Sequence, residues 1–166
     1  MSTKQDFTAE EWRLVIGAPW LIGLAMILAE GQGRRRATQK ELAALAAAPE
    51  QVAQQFADNA LVQAALTDIV ANAVAEQVKE HSSEKGAVEQ EIYKATLDRC
   101  HRLAALLSAK APYSEADGYK RFVLTVGRVV AEAAVDAEYL GIGGGRVSAH
   151  ERKLLQVLGE ALDLSE

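Results

Sequence analysis

Cysteine, aromatic residues, proline and excess positive charge are all scarce in this chain, and each scarcity removes a class of protein. A single cysteine, Cys100, among 166 residues excludes an internal disulfide framework and agrees with a reducing compartment, so the cytoplasm is the expected location. Aromatic residues make up only 5% of the sequence, which disfavours a β-sandwich, a fold built on branched and aromatic side chains. No stretch alternates apolar and polar residues in the manner of a strand. Lysine and arginine number 18 against 23 aspartates and glutamates, a formal net charge of -5. That balance argues against a general nucleic-acid or anionic-lipid surface. The three histidines, His81, His101 and His150, are scattered and lack metal-ligand spacing. No nucleophile–base arrangement stands out either, so the chain is not expected to be an enzyme and no organic cofactor is expected.

What the chain has in quantity is small apolar residues at helical spacing. Hydrophobic residues form 49% of the sequence, alanine foremost, which suits closely packed helices. The length suits one domain with a real core. The expected fold is all-α: a single-domain irregular bundle of six or seven helices. Residues 1–7 form a loose start and residues 8–166 the helical domain.

The segment Leu14 to Ala29 is a continuous uncharged run. It is shorter than the roughly 20 residues of a membrane span. Gly17, Pro19 and Gly23 interrupt it, and its leading flank (Asp6, Glu10, Glu11) is acidic where a signal peptide is basic. It therefore reads as a buried central helix, opened by the capping box Thr8-Ala9-Glu10-Glu11 and kinked or split at Pro19. A short helix follows from Thr38 and ends near Pro49. A long helical stretch covers about 50–80, with Val52, Phe56, Leu66, Ile69, Ala73 and Val74 inward and a possible break at Asp58-Asn59. After a turn at 81–86 comes a helix over 87–110, carrying Val88, Ile92, Cys100, Leu103 and Leu107 on its core side. Pro112 ends it. The last two helices span about 115–139 and 149–164.

A cassette occurs twice. Ala29-Glu30-Gly31-Gln32-Gly33, an arginine cluster (Arg34, Arg35, Arg36) and Thr38-Gln39-Lys40-Glu41-Leu42 form the first copy. Ala137-Glu138, Gly141 to Gly145, Arg146 and Ser148-Ala149-His150-Glu151 form the second. In each, a hydrophobic helix ends on a glutamate, a glycine-rich turn follows and a Ser/Thr-x-x-Glu box starts a new helix, suggesting an approximate internal two-fold. Glu30 and Glu138 stand at helix C-termini, where the macrodipole opposes a negative charge, so each wants a cation or a strong donor. Glu138 shares a flank with Gly127, Ala131 and Ala134, a small-residue strip that lets another helix come close, while Arg121, Thr125, Arg128, Glu132 and Asp136 form a solvated stripe spaced for ion pairs.

Two roles fit these acids. Glu30, Glu41, Glu138 and Glu151 converge on a hard divalent cation such as Ca²⁺, Mg²⁺ or Mn²⁺; or Glu41 and Glu151 simply hold backbone N–H groups in capping boxes while Glu30 and Glu138 pair with loop arginines such as Arg34 or Arg146. The spacing is not that of an EF-hand loop. Gly143-Gly144-Gly145-Arg146-Val147-Ser148 lacks the Lys-Ser/Thr ending and the preceding strand of a phosphate loop, and its glycines read as turn residues. The Arg34-Arg35-Arg36 patch reads as a solvated loop or a dock for an acidic partner, and Cys100 as a buried inert thiol.

The stretch from Val130-Ala131-Glu132 to Glu138, the glycines, and Val147-Ser148-Ala149-His150-Glu151-Arg152-Lys153-Leu154-Leu155 to Leu158 and Leu162 resembles the tellurite-resistance TerB-like helical family. That family commonly shows an acidic residue ending one helix, a glycine-containing turn and Ser-x-x-Glu opening the next. Phe7-Thr8-Ala9-Glu10-Glu11-Trp12, with Ala18-Pro19 and Gly23, is similar to uncharacterised bacterial proteins that end in the same way. The resemblance implies an all-helical domain with internal pseudo-symmetry whose acids, here Glu30, Glu41, Glu138 and Glu151, chelate metal. The family usually has Asp where Glu30 and Glu138 stand, and its turn is shorter than Gly141 to Gly145. The expected function is a non-enzymatic helical protein-interaction module of the bacterial cytoplasm. It would bind a partner protein or itself through the helices between Glu50 and Lys110, without nucleic acid, membrane span or identified small-molecule substrate. The alternative is a divalent-metal-binding or metal-sensing TerB-like stress-response domain.

Overall fold

An uncharged helix has no stable surface to offer water, so the rest of the chain must enclose it. The computed structural model describes residues 1–29, 37–82, 88–138 and 147–164, apart from the side chains of His81 and of residues 134–138. Among the described residues the chain is all-helical, without strands. Its helices are α1 (Ala9–Ala29), α2 (Gln39–Ala53), α3 (Ala60–Ser82), α4 (Glu89–Lys110), α5 (Tyr113–Glu138) and α6 (Ala149–Ala161), with short 3-10 turns at Lys4–Asp6 and Gln54–Phe56. All five other helices pack on α1, and α5 and α4 cover most of it. By length and composition α1 could cross a membrane, with a mean hydropathy of 1.8 over its most apolar window, yet 83% of that window is buried inside the bundle.

The start of α1 is the expected capping box: the Glu11 N–H donates to the Thr8 hydroxyl (3.2 Å) and the Thr8 N–H to the Glu11 carboxylate (2.7 Å). Pro19 does not split the helix, which continues through it to Ala29. A proline inside a helix removes the bond to the carbonyl four residues earlier and costs about 3 kcal/mol. Here that carbonyl belongs to Val15. The hydroxyl of Tyr119, on α5, donates to it at 3.0 Å in the buried core. The helix therefore continues as one element, and a neighbouring helix supplies the donor that the proline removes. Burial pushes the Tyr119 hydroxyl well above its usual pKa, so it remains a protonated donor.

Two glycines set how closely α1 is approached. A Cβ on Gly127 of α5 would collide with Ile22, and one on Gly23 of α1 with Leu45 of α2. Gly127 and Ala131, the small-residue flank seen in the sequence, thus lie on the α1-facing side of α5, and Ala131 is fully buried. At the other end of α1 the Trp12 indole donates to Asp68 of α3 at 2.7 Å. Lys4 also donates to Asp68 at 2.7 Å and, with the indole, holds that carboxyl below its usual pKa.

Several boundaries differ from the sequence expectation. Pro49 does not end α2, which runs on to Ala53. The break at Asp58-Asn59 is real: the Asn59 side chain accepts the Val62 N–H (3.0 Å) as the cap of α3 and donates to the Glu115 carbonyl (3.1 Å). Val74 and Val88, expected in the core, are 51% and 40% exposed, because the bundle does not cover the faces that carry them. Pro112 ends α4 as expected. The opening residues, expected to be loose, lie against the bundle: Lys4–Asp6 forms a 3-10 turn and Phe7, 8% exposed, meets the Trp12 ring at 5.6 Å.

α6 stops at Ala161, earlier than expected, in a Schellman turn. The Leu164 N–H reaches the Gly159 carbonyl and the Asp163 N–H the Glu160 carbonyl, both at 3.0 Å, with Asp163 at a left-handed φ of 57°. The buried ammonium of Lys120 donates to the Asp163 carbonyl at 3.4 Å and so ties this end of α6 to α5. The all-α class and the single bundle agree with the sequence reading; an internal two-fold is not established by the described residues.

Tyr119→Phe leaves the Val15 carbonyl buried without a donor, a loss of about 1–3 kcal/mol. In a Pro19→Ala background residue 19 has its own N–H to offer, and the same Tyr119→Phe change is expected to cost less than half as much. Urea unfolding of the four proteins in this cycle measures the coupling, and additive effects would refute the compensation.

Candidate functional site

Of the four glutamates singled out in the sequence, the side chains of two are described. Glu41 and Glu151 open α2 and α6 with nearly superposable local chemistry. The Glu41 N–H donates to the Thr38 hydroxyl (3.2 Å) and the Thr38 N–H to Glu41 Oε2 (2.7 Å). The Glu151 N–H donates to the Ser148 hydroxyl (3.1 Å) and the Ser148 N–H to Glu151 Oε2 (2.6 Å). Both carboxylates are buried, Glu41 at 6% exposure and Glu151 at 0%, because apolar residues a turn or more further along each helix (Leu45 and Val52, Leu155 and Leu158) draw the helix face into the core. The pairs differ in detail. The Thr38 hydroxyl also donates to Glu41 Oε2 (2.9 Å), whereas Oε1 of Glu151 is buried and has no hydrogen-bond partner among the described residues.

Glu30, the arginines 34–36, the glycines 141–145 and Arg146 lie outside the described residues, as do most of the turn at 81–86 and the side chain of Glu138. Among the described residues, no group of three or more His, Cys, Asp or Glu side chains is gathered to hold a metal ion. Where carboxylate titrations are displaced, helix caps and inter-helix ties account for it. The Lys110 ammonium (2.7 Å) and the Thr8 N–H hold Glu11 below its usual pKa.

A feature that the sequence reading passed over lies between α5 and α6. Residues of both helices, with Phe56 beside them, line an open groove of about 930 Å³. Its floor is apolar, with Leu124 and Leu155 among the residues lining it, and Leu164 beside them, held there by the Schellman turn. Its rim is cationic: Arg121 and Arg128 from α5, Arg152 from α6, all exposed. Arg121 is ion-paired with Asp117 on its own helix at 2.8 Å. Arg128 and Arg152 make no ion pair with any described residue. The sequence placed Arg121 and Arg128 on a solvated stripe of mutually paired charges. The signal against that reading was the spacing of Arg121, Leu124 and Arg128, which puts an apolar side chain between two cations on one helix face.

Cys100 is 1% exposed on the core side of α4, as expected. Burial pushes its thiol from an ordinary 9.0 up to about 12, against a small opposing effect of the Arg99 guanidinium. At neutral pH it is neither a nucleophile nor a metal-binding thiolate. Because the folded value is the higher one, the unfolded chain ionises first. Native stability is therefore expected to fall as pH rises from 9 towards 12. Cys100→Ala is expected to make that decline shallower in denaturant titrations. Ellman's reagent at pH 8 is expected to label the native protein at least tenfold more slowly than the urea-unfolded chain; equal rates would show an accessible thiol. Comparison of the chain with family models, curated proteins and solved structures gives no match.

Proposed function

We propose that this chain is a non-enzymatic, cytoplasmic protein-interaction module that receives a segment of a partner protein in the groove between α5 and α6. The observation that carries the reading is the combination of an apolar floor with Arg128 and Arg152, two cations without an ion-pair partner among the described residues, on a chain of net charge -5. Desolvating an apolar strip supplies affinity, and rim charges supply register and partner choice. This moves the docking surface from the helices between Glu50 and Lys110, where the sequence suggested it, to α5 and α6, with Phe56 lining the groove from the earlier stretch. Selection from a displayed library of random 16-residue peptides is expected to enrich sequences that compete for one site. Their amide shift perturbations are expected to fall on α5 and α6. Perturbations confined to other helices, or no enrichment, would refute the reading.

One observation favours a second function, a divalent-metal-binding or metal-sensing domain of TerB-like type: Oε1 of the buried Glu151 carboxylate has no hydrogen-bond partner among the described residues. A carboxylate oxygen buried without a donor is the sort of group a hard cation satisfies. Glu151 would be one ligand, with Glu30, Glu41 and Glu138 as the others the cassettes nominate. Ca²⁺, Mg²⁺ or Mn²⁺ is then expected to raise the melting temperature by mass action. Glu151→Gln retains an oxygen for the Ser148 N–H and so keeps the cap, but is expected to abolish the shift. If none of the three ions changes the melting temperature of the wild-type chain, this second function is ruled out.

A further inference from the structure

Resting on the reading of the α5/α6 groove as a docking surface, we infer that its occupant is an acidic amphipathic helix of a partner protein. The groove favours apolar side chains at its floor and carboxylates at its rim. Arg121 and Arg128 are seven residues apart on one face of α5, which places their Cα atoms roughly 10.5 Å apart along the helix axis. A partner helix lying alongside α5 repeats the same rise, so carboxylates at its positions i and i+7 meet both arginines in register. Its residues at i+3 and i+4 then face Leu124, which stands between the two cations and lines the groove. Arg152 closes the opposite rim from α6. The groove is thus lined by cations from both helices, Arg121 and Arg128 on one side and Arg152 on the other.

The remaining charges sharpen the selection. Arg121 already holds Asp117, and Glu160, whose carboxylate accepts from Gln156 at 3.1 Å, lines the groove from α6. A partner helix carrying an acid on the flank that meets Glu160 is repelled. One carrying a lysine or arginine there gains a partner. The chemistry recognised is thus acid–apolar–apolar–acid over two turns, with a basic or neutral residue on the flank turned to α6. An evenly anionic surface does not fit, because it would press like charges onto Glu160 and onto a chain of net charge -5.

The test uses the full chain and the peptides that the displayed library enriches. These are expected to carry Glu or Asp seven residues apart around Leu, Ile or Phe. Anisotropy titrations with labelled peptides are expected to show a Kd raised roughly tenfold or more in R128E/R152E. A control of the same net charge, K40E/K94E, is expected to raise it by less than threefold. Peptides that bind in the groove without enriched acids, or equally well to R128E/R152E, would overturn the acidic-helix inference and leave the docking module standing. If no peptide is enriched, and R128E/R152E instead abolishes binding to phosphatidylglycerol vesicles or dissociates a dimer seen by light scattering, the occupant is a lipid surface or a second copy, and both this inference and the reading beneath it fail.

Discussion

The hydroxyl of Tyr119 on the Val15 carbonyl is a single hydrogen bond, yet the fold leans on it. α1 is apolar on nearly every side and carries a proline in its middle. In isolation that proline would end the helix or bend it, at a cost comparable to the burial of a whole large apolar side chain. The chain supplies the missing donor from α5, and eight residues further along the same helix Gly127 lets α5 approach Ile22 closely. Without the phenol the packing of α5 on α1 would bury an unsatisfied carbonyl.

Once α1 is enclosed, the remaining helices have restricted choices. α2 packs on α3, α5 and α1, and α6 packs on α4, α5 and α1. Each is opened by the same Ser/Thr-x-x-Glu chemistry, and each draws its first-turn glutamate out of water as the apolar residues further along the helix sink into the core. Two similar helix starts therefore reach similar burial by the same local route. At Glu151 the cap satisfies only one oxygen of the carboxylate, and Oε1 is left buried without a hydrogen-bond partner among the described residues.

The groove follows from the way α6 ends. The Schellman turn and the Lys120 ammonium hold residues 162–164 against α5. Leu164 is thereby kept in the lining of the groove. The arginines on the rim are ordinary surface residues when read one at a time, and an exposed ion pair contributes little. What sets them apart is that α5 and α6 bring them to the lining of one groove, a relation between two helices rather than a property of either.

Helix class, the central place of Leu14 to Ala29, the capping boxes at Thr8, Thr38 and Ser148, the break at Asn59 and the inert Cys100 were all legible in the amino-acid order, because each depends on neighbours within a turn or on the hydrophobicity of a continuous run. A split at Pro19 and an end at Pro49 did not occur, since local rules price a proline by the bond it removes; at Pro19 they cannot see a donor, Tyr119, that arrives from a hundred residues away. Val74 and Val88 misled because helical periodicity marks an apolar face but not where the neighbouring helices stop covering it. The cassettes were visible as pattern, yet whether their acids meet depends on the packing of α1, α2, α5 and α6. The groove was invisible, since its rim combines Arg121 and Arg128 with Arg152. Sequence alone determined which segments are helical and which helix must lie inside. Tertiary structure decided which charges face one another, because distances between helices are set by side-chain packing, a sum over contacts that no local stretch of chain contains.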